Sequence, residues 1–295
     1  MEKNTTMTLP ITAFCALGLI WGSNFIYMKM AAQLITPVQV VFCRVLFGFV
    51  PVVIYARARG GLRREHLRHA GHFLVMALLA TAVYYYAYVK GTSLLLSGVA
   101  GALSGAISLF SFVLAAIFIP EEKVTMTKIL GVVIGFMGVV LIGRPTGHDL
   151  ATTNWEGVCY LLAGSLSVGA SFVYARKYII PLNIPASALT TYQLGLGLAI
   201  LAVCTDYRGM GKILHSPHAA VGLAIGLGFL GTGLAYNIYY YIVEKFGAIT
   251  ASSVTYIPPV VALLIGALLA GEPIRATDYG ATLLIFTGVF LLRRT

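Results

Sequence analysis

Long apolar runs, separated by short breaks that are charged or rich in proline and glycine, fill nearly the whole sequence. A helix of about 20 apolar residues crosses the hydrocarbon layer of a bilayer, because every backbone N–H and C=O is then satisfied within the segment. The pattern predicts an all-α integral membrane protein with ten transmembrane helices and no separate soluble domain. The predicted spans are residues 10–30, 37–56, 71–89, 97–119, 127–143, 157–175, 186–205, 219–242, 250–270 and 277–292.

The two halves of the sequence resemble each other. A shift of 150 residues aligns Glu122 with Glu272, Gly138 with Gly288 and Arg144 with Arg294, and a shift of 147 aligns Gly22 with Gly169, Phe25 with Phe172, Tyr27 with Tyr174 and Lys29 with Arg176. This predicts two five-helix repeats, residues 1–145 and 153–295. Because five is odd, the second repeat must enter the membrane from the opposite side. Inverted repeats in transporters usually rock around a shared central site.

Composition agrees with a chain solvated mainly by lipid, since 59% of the residues are hydrophobic and only 10% are charged. The net charge of +10 comes from Lys and Arg in short loops, which indicates membrane topology and gives no reason to expect a nucleic-acid partner. Thirteen of the twenty Lys and Arg lie on the side of the N-terminus. We therefore expect a multi-pass protein of the cytoplasmic (inner) membrane with both termini in the cytoplasm.

Few residues suit an intramembrane enzyme. The six histidines lie in loops or at span ends, and there is neither an H-E-x-x-H motif nor an intramembrane aspartate pair. The four cysteines lie within spans without C-x-x-C spacing, so neither a metal site nor a disulfide framework is predicted. We expect no cofactor. A channel, and a membrane protein with a purely structural or sensory role, are the alternatives to a transporter.

Several motifs together resemble the EamA-type branch of the drug/metabolite transporter superfamily. They are Trp21-Gly22-Ser23-Asn24-Phe25 in span 1, Arg44 in span 2, a small-residue-rich span 4 ending in Glu122, and Tyr256-Ile257-Pro258-Pro259 leading to Gly271-Glu272. The resemblance covers the whole chain, although Ser108 and Leu109 stand where the family often has a proline. It implies a ten-helix carrier of the export type, commonly for amino acids or related metabolites.

Aromatic hydroxyls and small polar side chains within spans are the candidates for a substrate path. Residues four apart share one helix face, which favours Tyr84 with Tyr88 in span 3 and Tyr236 with Tyr240 in span 8. The alternative for these tyrosines is a position at the lipid headgroups. The further candidates are Trp21 and Asn24 in span 1 and Ser108, Ser253 and Tyr256 in spans 4 and 9.

Pro258 and Pro259 should interrupt the hydrogen-bond ladder of span 9 and are candidate hinge residues, because proline has no N–H to donate. The alternative is that the bend only shapes the helix. Small residues on span 4, such as Gly101, are packing devices in the first place. Glu122 and Glu272, at helix ends, are expected to make capping or gating contacts.

Arg44 is the one clear cation inside a span, about 10 Å from the helix end. It could contact a substrate carboxylate or a carbonyl, but snorkelling or structural pairing is favoured. All ten acids lie in loops or near span ends, which favours facilitated diffusion or exchange over a proton pump. With so few intramembrane cations, amino acids or related zwitterions are favoured over phosphorylated or nucleotide-linked sugars. The expected partners are the bilayer and a small-molecule substrate, and both a monomer and a homodimer remain open.

Overall fold

The computed structural model of the chain describes residues 5–143, 154–239, 241–242 and 253–293, and within these ranges the chain is helical with no strand. We label the helices in chain order: α1 Thr5–Ala32, α2 Pro37–Ala58, α3 Arg64–Leu94, α4 Ser97–Phe118, α5 Met126–Gly143, α6 Trp155–Leu182, α7 Ala186–Cys204, α8 Pro217–Tyr239, α9 Val254–Leu269 and α10 Ala276–Arg293. A short 3-10 helix, Met210–His215, lies between α7 and α8.

Six of these helices are long and apolar enough to cross a membrane, namely α2, α3, α4, α6, α7 and α8. In the described part of the chain, α5, α9 and α10 are shorter apolar helices. Helix α1 is long, but its second half carries the polar residues Ser23, Asn24 and Lys29. The architecture is that of an all-helical integral membrane protein.

Local sequence sets the ends of several helices. Helix α2 begins with a capping box, in which the Thr36 hydroxyl accepts from the Gln39 N–H at 3.4 Å and the Gln39 side chain accepts from the Thr36 N–H at 3.0 Å. Pro37 occupies the first turn, where no N–H is needed. Gly60 and Gly271 follow α2 and α9 with φ of +62°, the left-handed conformation that ends helices most readily at glycine.

The helices pack in pairs that are repeated between the two halves of the chain. Helix α1 packs on α8 and α9, and α6 packs correspondingly on α3 and α4. Helix α2 packs on α8, as α7 packs on α3. The remaining large contacts join α2 to α7, α4 to α9 and α5 to α10. Contacts between the halves therefore form much of the core.

Glycines allow the closest of these approaches. In the α5–α10 pair, a Cβ on Gly131 would lie 2.7 Å from the Gly288 carbonyl oxygen, and one on Gly138 would lie 2.6 Å from the Ala281 oxygen. In the α4–α9 pair, a Cβ on Gly101 would overlap the Ala262 methyl group. The predicted packing role of Gly101 is thus confirmed. Such small-residue contacts let helix backbones meet where lipid supplies no hydrophobic driving force.

Two helices change to π-helical hydrogen bonding near mid-length. The segments are Leu78–Ala82 in α3 and Gly222–Leu234 in α8, and residues 78–82 correspond to residues 228–232 at the 150-residue shift. Shorter π-helical turns lie near the end of α6, at Ala175–Ile179, and at the end of α9, at Ile265–Leu269. Such turns are frequent at functional sites. The regular helical pattern used for the prediction does not distinguish them from α-helix.

Candidate functional site

A buried arginine joins α2 to the π-helical part of α8. The Arg44 Nε donates to the Thr232 hydroxyl oxygen at 3.0 Å, and the guanidinium carbon lies 3.8 Å from the centre of the Tyr85 ring. The arginine Nη1 lies 3.8 Å from the Met28 sulfur. Only 5% of Arg44 is exposed. Of the two alternatives favoured from the sequence, the structure shows a structural contact, made with the neutral Thr232 hydroxyl, and not snorkelling to the interface.

The sequence of α8 explains how Arg44 reaches this position. A Cβ on Gly48, one turn after Arg44, would lie 2.6 Å from the Thr232 Cβ, so α2 and α8 approach closely here. Thr232 donates its hydroxyl to the Leu227 carbonyl at 3.2 Å, five residues back, which is the π-helical spacing. The hydroxyl oxygen remains free to accept from Arg44. The π-helical segment therefore presents the acceptor for the arginine.

The same contact occurs between α7 and α3, but with a neutral donor. Gln193 Nε2 donates to the Thr81 hydroxyl at 3.0 Å, and a Cβ on Gly197 would lie 2.8 Å from the Thr81 Cγ2. Gln193 follows Arg44 by 149 residues, and Gly197 follows Gly48 by the same number. Thr81 lies in the π-helical segment of α3, as Thr232 does in that of α8. We call the contact of Arg44 and Gly48 with Thr232 the Arg44 seam. The Arg44 seam holds a guanidinium where the matching α7–α3 seam holds an amide.

Asn24 lies against the same stretch of α8. It is 5% exposed, and its side-chain oxygen has no hydrogen-bond partner within the described parts of the chain. The oxygen packs against Gly231, directly before Thr232. Met28, one turn later in α1, contacts Arg44. Asn24 and Arg44 thus flank adjacent residues of α8.

The tyrosines of α3 form an aromatic group next to this seam. The Tyr84 and Tyr88 rings lie 4.6 Å apart, and the Tyr84 and Tyr85 rings lie 5.0 Å apart. The Tyr88 hydroxyl shares a hydrogen bond of 2.9 Å with Ser165 on α6. Tyr85, which the four-residue spacing did not select, is the tyrosine that contacts Arg44. Tyr84 remains half-buried.

The other predicted residues are distributed over two hydrophobic clusters. Trp21 packs with Tyr239, their rings 5.9 Å apart, at the cluster around Leu17. Tyr236 and Tyr256 are half-buried against the large central core. Ser108 is half-buried on α4, and its N–H donates to the Gly105 carbonyl at 3.2 Å. Tyr240 lies outside the described residues, and Ser253 begins the 3-10 turn Ser253–Tyr256.

Pro258 and Pro259 lie in the first turn of the α-helical segment Ile257–Leu264, directly after the 3-10 turn Ser253–Tyr256. The hydrogen-bond pattern changes type at this point, as expected where two successive residues lack an N–H. The prolines begin an α-helical segment and do not lie in its interior, which is where proline disrupts a helix least. Their role as a hinge stays a prediction.

At one end of α4, Glu272 is held by three groups; we call Lys29, Ser97, Gly98 and Glu272 the Glu272 cluster. The Glu272 carboxylate accepts from the Ser97 N–H at 2.8 Å and the Gly98 N–H at 3.0 Å, and Lys29 Nζ lies 3.2 Å away. Lys29 also donates to the Leu95 carbonyl at 2.9 Å. The predicted capping contact of Glu272 is confirmed, on the first N–H groups of α4.

Charge balance in this cluster favours the ionised carboxylate. Burial raises the pKa of Glu272, whose side chain is 7% exposed, but the Gly98 and Ser97 N–H groups and the Lys29 ammonium lower it by more. The pKa therefore lies below its ordinary value of 4.5. The N-terminus of α4 also favours a negative charge at this position.

At the other end of α4, Glu122 is held by two cations; we call Glu122, Lys128 and Arg176 the Glu122 cluster. Glu122 oxygens lie 2.9 Å from Arg176 Nη1 and 3.1 Å from Lys128 Nζ. Burial raises the pKa of Glu122, and the hydrogen bonds from Arg176 and Lys128 lower it by more, so the pKa lies below its ordinary value. Arg176 is 51% exposed, which makes this cluster the wetter of the two.

Both clusters join the two halves of the chain. Lys29 of the first half meets Glu272 of the second, and Glu122 of the first meets Arg176 of the second. These are the residues that the sequence shifts of 147 and 150 had aligned. The 22 residues of α4 separate the clusters by about 33 Å along the helix. They lie at opposite ends of the bundle, with the Arg44 seam between them.

Four residues of these contacts are not among the candidates that the sequence patterns indicate: Gln193, Thr81, Thr232 and Tyr85. Thr81 and Thr232 are ordinary threonines in apolar runs, and a threonine in a membrane helix commonly bonds to its own backbone. Gln193 is the one glutamine inside α7. An alignment shift of 149 residues would have paired it with Arg44, which is the signal that could have found this seam.

Comparison with known proteins gives consistent results over the whole chain. The model of the EamA-like transporter family matches twice, at residues 8–144 and 155–294. An uncharacterized transporter of Archaeoglobus fulgidus is 24% identical, over 100% of this chain and 99% of its own length. The uncharacterized inner membrane transporter YedA of Escherichia coli is 26% identical, over 95% and 89%. The uncharacterized transporter YoaV of Bacillus subtilis is 25% identical, over 97% of both chains.

A solved crystal structure superposes on this chain with a TM-score of 0.62 at 18% identity, over 97% of this chain and 96% of the other. This similarity shows a shared fold. The relatives named as transporters and the family match indicate a multi-pass membrane transporter and not an enzyme.

Proposed function

The chain belongs to the EamA-like transporter family, and on that premise we propose that it moves small organic metabolites, most favourably amino acids or related zwitterions, out of the cell by alternating access. The observation that carries the mechanism is the pair of charged clusters at opposite ends of α4. Each is made by one residue from the first half and one from the second. Relative motion of the halves would break one cluster while the other holds.

We propose that all ten helices cross the bilayer as two inverted five-helix repeats, residues 1–145 and 153–295. The repeated helix pairs support this arrangement, since α1, α2 and their partners in the second half recur as α6, α7 and their partners in the first. The two separate matches to the family model support the same division. An inverted pair of repeats gives two conformations of similar energy that open to opposite sides.

In this mechanism the two clusters act as gates. While the Glu272 cluster is closed, the end of the bundle formed by α1, α4 and the α9–α10 loop is sealed. Opening that end separates Lys29 from Glu272, and the Glu122 cluster then holds the other end. With both termini in the cytoplasm, the Glu122 cluster is the cytoplasmic gate and the Glu272 cluster the outer one.

The substrate class follows from the charges available to the central region. The described spans place one buried arginine there, Arg44, and a phosphorylated or nucleotide-linked sugar would need several converging cations. A substrate with one carboxylate fits this supply better. The described carboxylates of both clusters lie at helix ends and are paired, so exchange or facilitated diffusion is proposed over a proton relay.

The test is counterflow into liposomes that contain the purified protein. Liposomes loaded with one unlabelled amino acid should accumulate the same labelled amino acid faster than protein-free liposomes, with saturable kinetics, for at least one of the protein amino acids. The double substitution Lys29→Ala with Arg176→Ala should abolish accumulation and make the liposomes leak, because both gates are weakened. No counterflow for any amino acid would reject the proposed substrate class.

A further inference from the structure

We propose that Arg44 and Asn24 form the recognition site for a zwitterion, in which Arg44 binds the substrate carboxylate and the Asn24 side-chain oxygen accepts from its ammonium group. The proposal rests on the transport function above and names the residues of its substrate site. It was not the favoured interpretation of Arg44 from the sequence. Three observations on the α1–α2–α8 seam lead to it.

The first observation is that the charge of Arg44 is buried without a counter-ion. One of its five N–H groups is taken by the Thr232 hydroxyl, one faces the weak acceptor of the Met28 sulfur, and the guanidinium lies against the Tyr85 ring. None of the described carboxylates pairs with it. An arginine inside a membrane protein normally pairs with another ionisable group or with backbone carbonyls. Its planar fork fits a carboxylate with two parallel hydrogen bonds.

The second observation is that helix packing does not require this charge. The matching seam between α7 and α3 makes the same donor-to-threonine contact with the neutral Gln193 and the same glycine approach with Gly197. A glutamine at position 44 could therefore hold α2 against Thr232. What Arg44 adds to that contact is a buried positive charge inside the bundle.

The third observation is the unsatisfied oxygen of Asn24. Only 5% of Asn24 is exposed, and its side-chain oxygen has no hydrogen-bond partner within the described residues. A buried acceptor without a donor is costly, and an ammonium group supplies three donors. Ser171 follows Asn24 by the same 147 residues that separate Lys29 from Arg176, and its hydroxyl is satisfied by the Val168 carbonyl.

The two groups are also suitably placed relative to each other. Asn24 packs on Gly231 and Arg44 bonds to Thr232, the next residue of α8. Along α1, Asn24 and the arginine-contacting Met28 are separated by about 6 Å. An α-amino acid can span one helical turn with one hydrogen bond at each end. The seam is tightly packed in this structure, so the substrate would enter when the halves move apart.

The test compares ligand analogues on the purified, full-length protein, by the rise in its thermal unfolding temperature. Each protein amino acid is tested first, and any that stabilises the wild type is then compared with its carboxamide, its decarboxylated amine and its N-acetyl derivative. For the wild type, we expect apparent affinity to fall at least about tenfold when the carboxylate is replaced by the amide or removed. N-acetylation should weaken binding for lack of an ammonium group.

Two variants assign the two ends of the ligand. Arg44→Gln, which copies Gln193, should fold and should bind the acid and the carboxamide with similar, weak affinity. Asn24→Leu should keep the preference for the acid over the amide but lose the preference for the free over the acetylated amine. Arg57→Gln is the control, because it removes one exposed positive charge from the same helix and should leave every preference unchanged.

If Arg44→Gln keeps the wild-type preference for the acid over the amide, or if no amino acid stabilises the wild type, the proposal is wrong. Should Arg44→Gln not fold, Arg44→Lys replaces it, because lysine retains the cation without the planar fork. A stable Arg44→Lys protein with a weakened preference for the acid supports the proposal, and one with the wild-type preference contradicts it. Failure of the transport function is a separate result: ligand binding that depends on Arg44 without any counterflow would leave the site intact and reject the carrier.

Discussion

The Glu272 cluster and the Glu122 cluster use residues at matching positions of the two halves, yet their surroundings differ. Glu272 is 7% exposed and accepts from two backbone N–H groups as well as from Lys29. Glu122 is 19% exposed and contacts only side-chain cations, of which Arg176 is half exposed. A buried carboxylate with fixed backbone donors is held far more tightly than a solvated ion pair. Matching positions of the two halves therefore make a firm contact at one end and a loose contact at the other, and under the proposed mechanism these are a firm gate and a loose gate.

The difference predicts which gate opens first. The loose Glu122 cluster costs little to break, so the conformation closed at Glu272 should be the more populated state in the absence of substrate. Substrate binding would then have to supply the free energy that opens the firm gate. Each of the following predictions either removes this asymmetry or measures it.

The largest expected effect is that of removing the firm gate. Glu272→Ala should lower the free energy of unfolding by about 3 kcal/mol, because it leaves two helix N–H groups without their acceptor and a half-buried ammonium without its counter-ion. The measurement is thermal or denaturant unfolding in one detergent. Glu122→Ala should lose only about 1 kcal/mol, and Glu121→Ala, at an exposed neighbouring position, should lose almost nothing. Equal losses at Glu272 and Glu122 would contradict the asymmetry.

A double-mutant cycle should give the next largest effect. Lys29→Met and Glu272→Gln, singly and together, should give a coupling free energy of about 1 to 2 kcal/mol, since both partners are largely removed from solvent. The matched cycle of Arg176→Met with Glu122→Gln should give less than about 0.5 kcal/mol, because Arg176 is half exposed. Two cycles with similar coupling would show that burial does not distinguish the gates.

Much of this arrangement could be predicted from the sequence, and the reason lies in the repeat. Aligning Glu122 with Glu272 and Lys29 with Arg176 singled out the four principal charges of both clusters. What the alignment could not tell is that each carboxylate pairs with the cation of the other half. Lys29 and Glu272 are 243 residues apart, and only the packing of the two halves brings them together.

The Arg44 seam was harder to predict for two physical reasons. The alignment shift changes from 147 at Lys29 to 149 at Arg44 and 150 at Glu122, so neither the 147-residue nor the 150-residue shift pairs Arg44 with Gln193. The four-residue spacing of tyrosines identifies residues that share a helix face, but not which face points at α2. Tyr84 and Tyr88 do share a face, while the neighbouring Tyr85 contacts Arg44.

A smaller effect is expected from acidification. The pKa of Glu272 is lowered in the folded protein, so its stabilisation is fully present above the ordinary value of 4.5 and is lost as the pH falls through the lower, folded value. The wild type should therefore lose stability more steeply than Glu272→Gln between about pH 5 and about pH 3. Unfolding temperatures across this range give the slopes. Parallel curves for the two proteins would mean that Glu272 does not titrate as a paired carboxylate.

The smallest expected effect is a difference in salt dependence. At about 1 M ionic strength the screening length is about 3 Å, which weakens interactions between exposed charges and leaves buried pairs largely intact. Salt should therefore remove most of the small destabilisation caused by Arg176→Gln, because the wild type loses that interaction as well. It should leave the destabilisation caused by Lys29→Gln nearly unchanged, since Lys29 and Glu272 are 21% and 7% exposed. Measuring both variants against the wild type at low and high salt makes general effects of salt on the detergent cancel. A Lys29→Gln effect that vanished with salt would show that solvent reaches the Glu272 cluster. The two clusters would then differ in their contacts but not in how strongly they stabilise the protein.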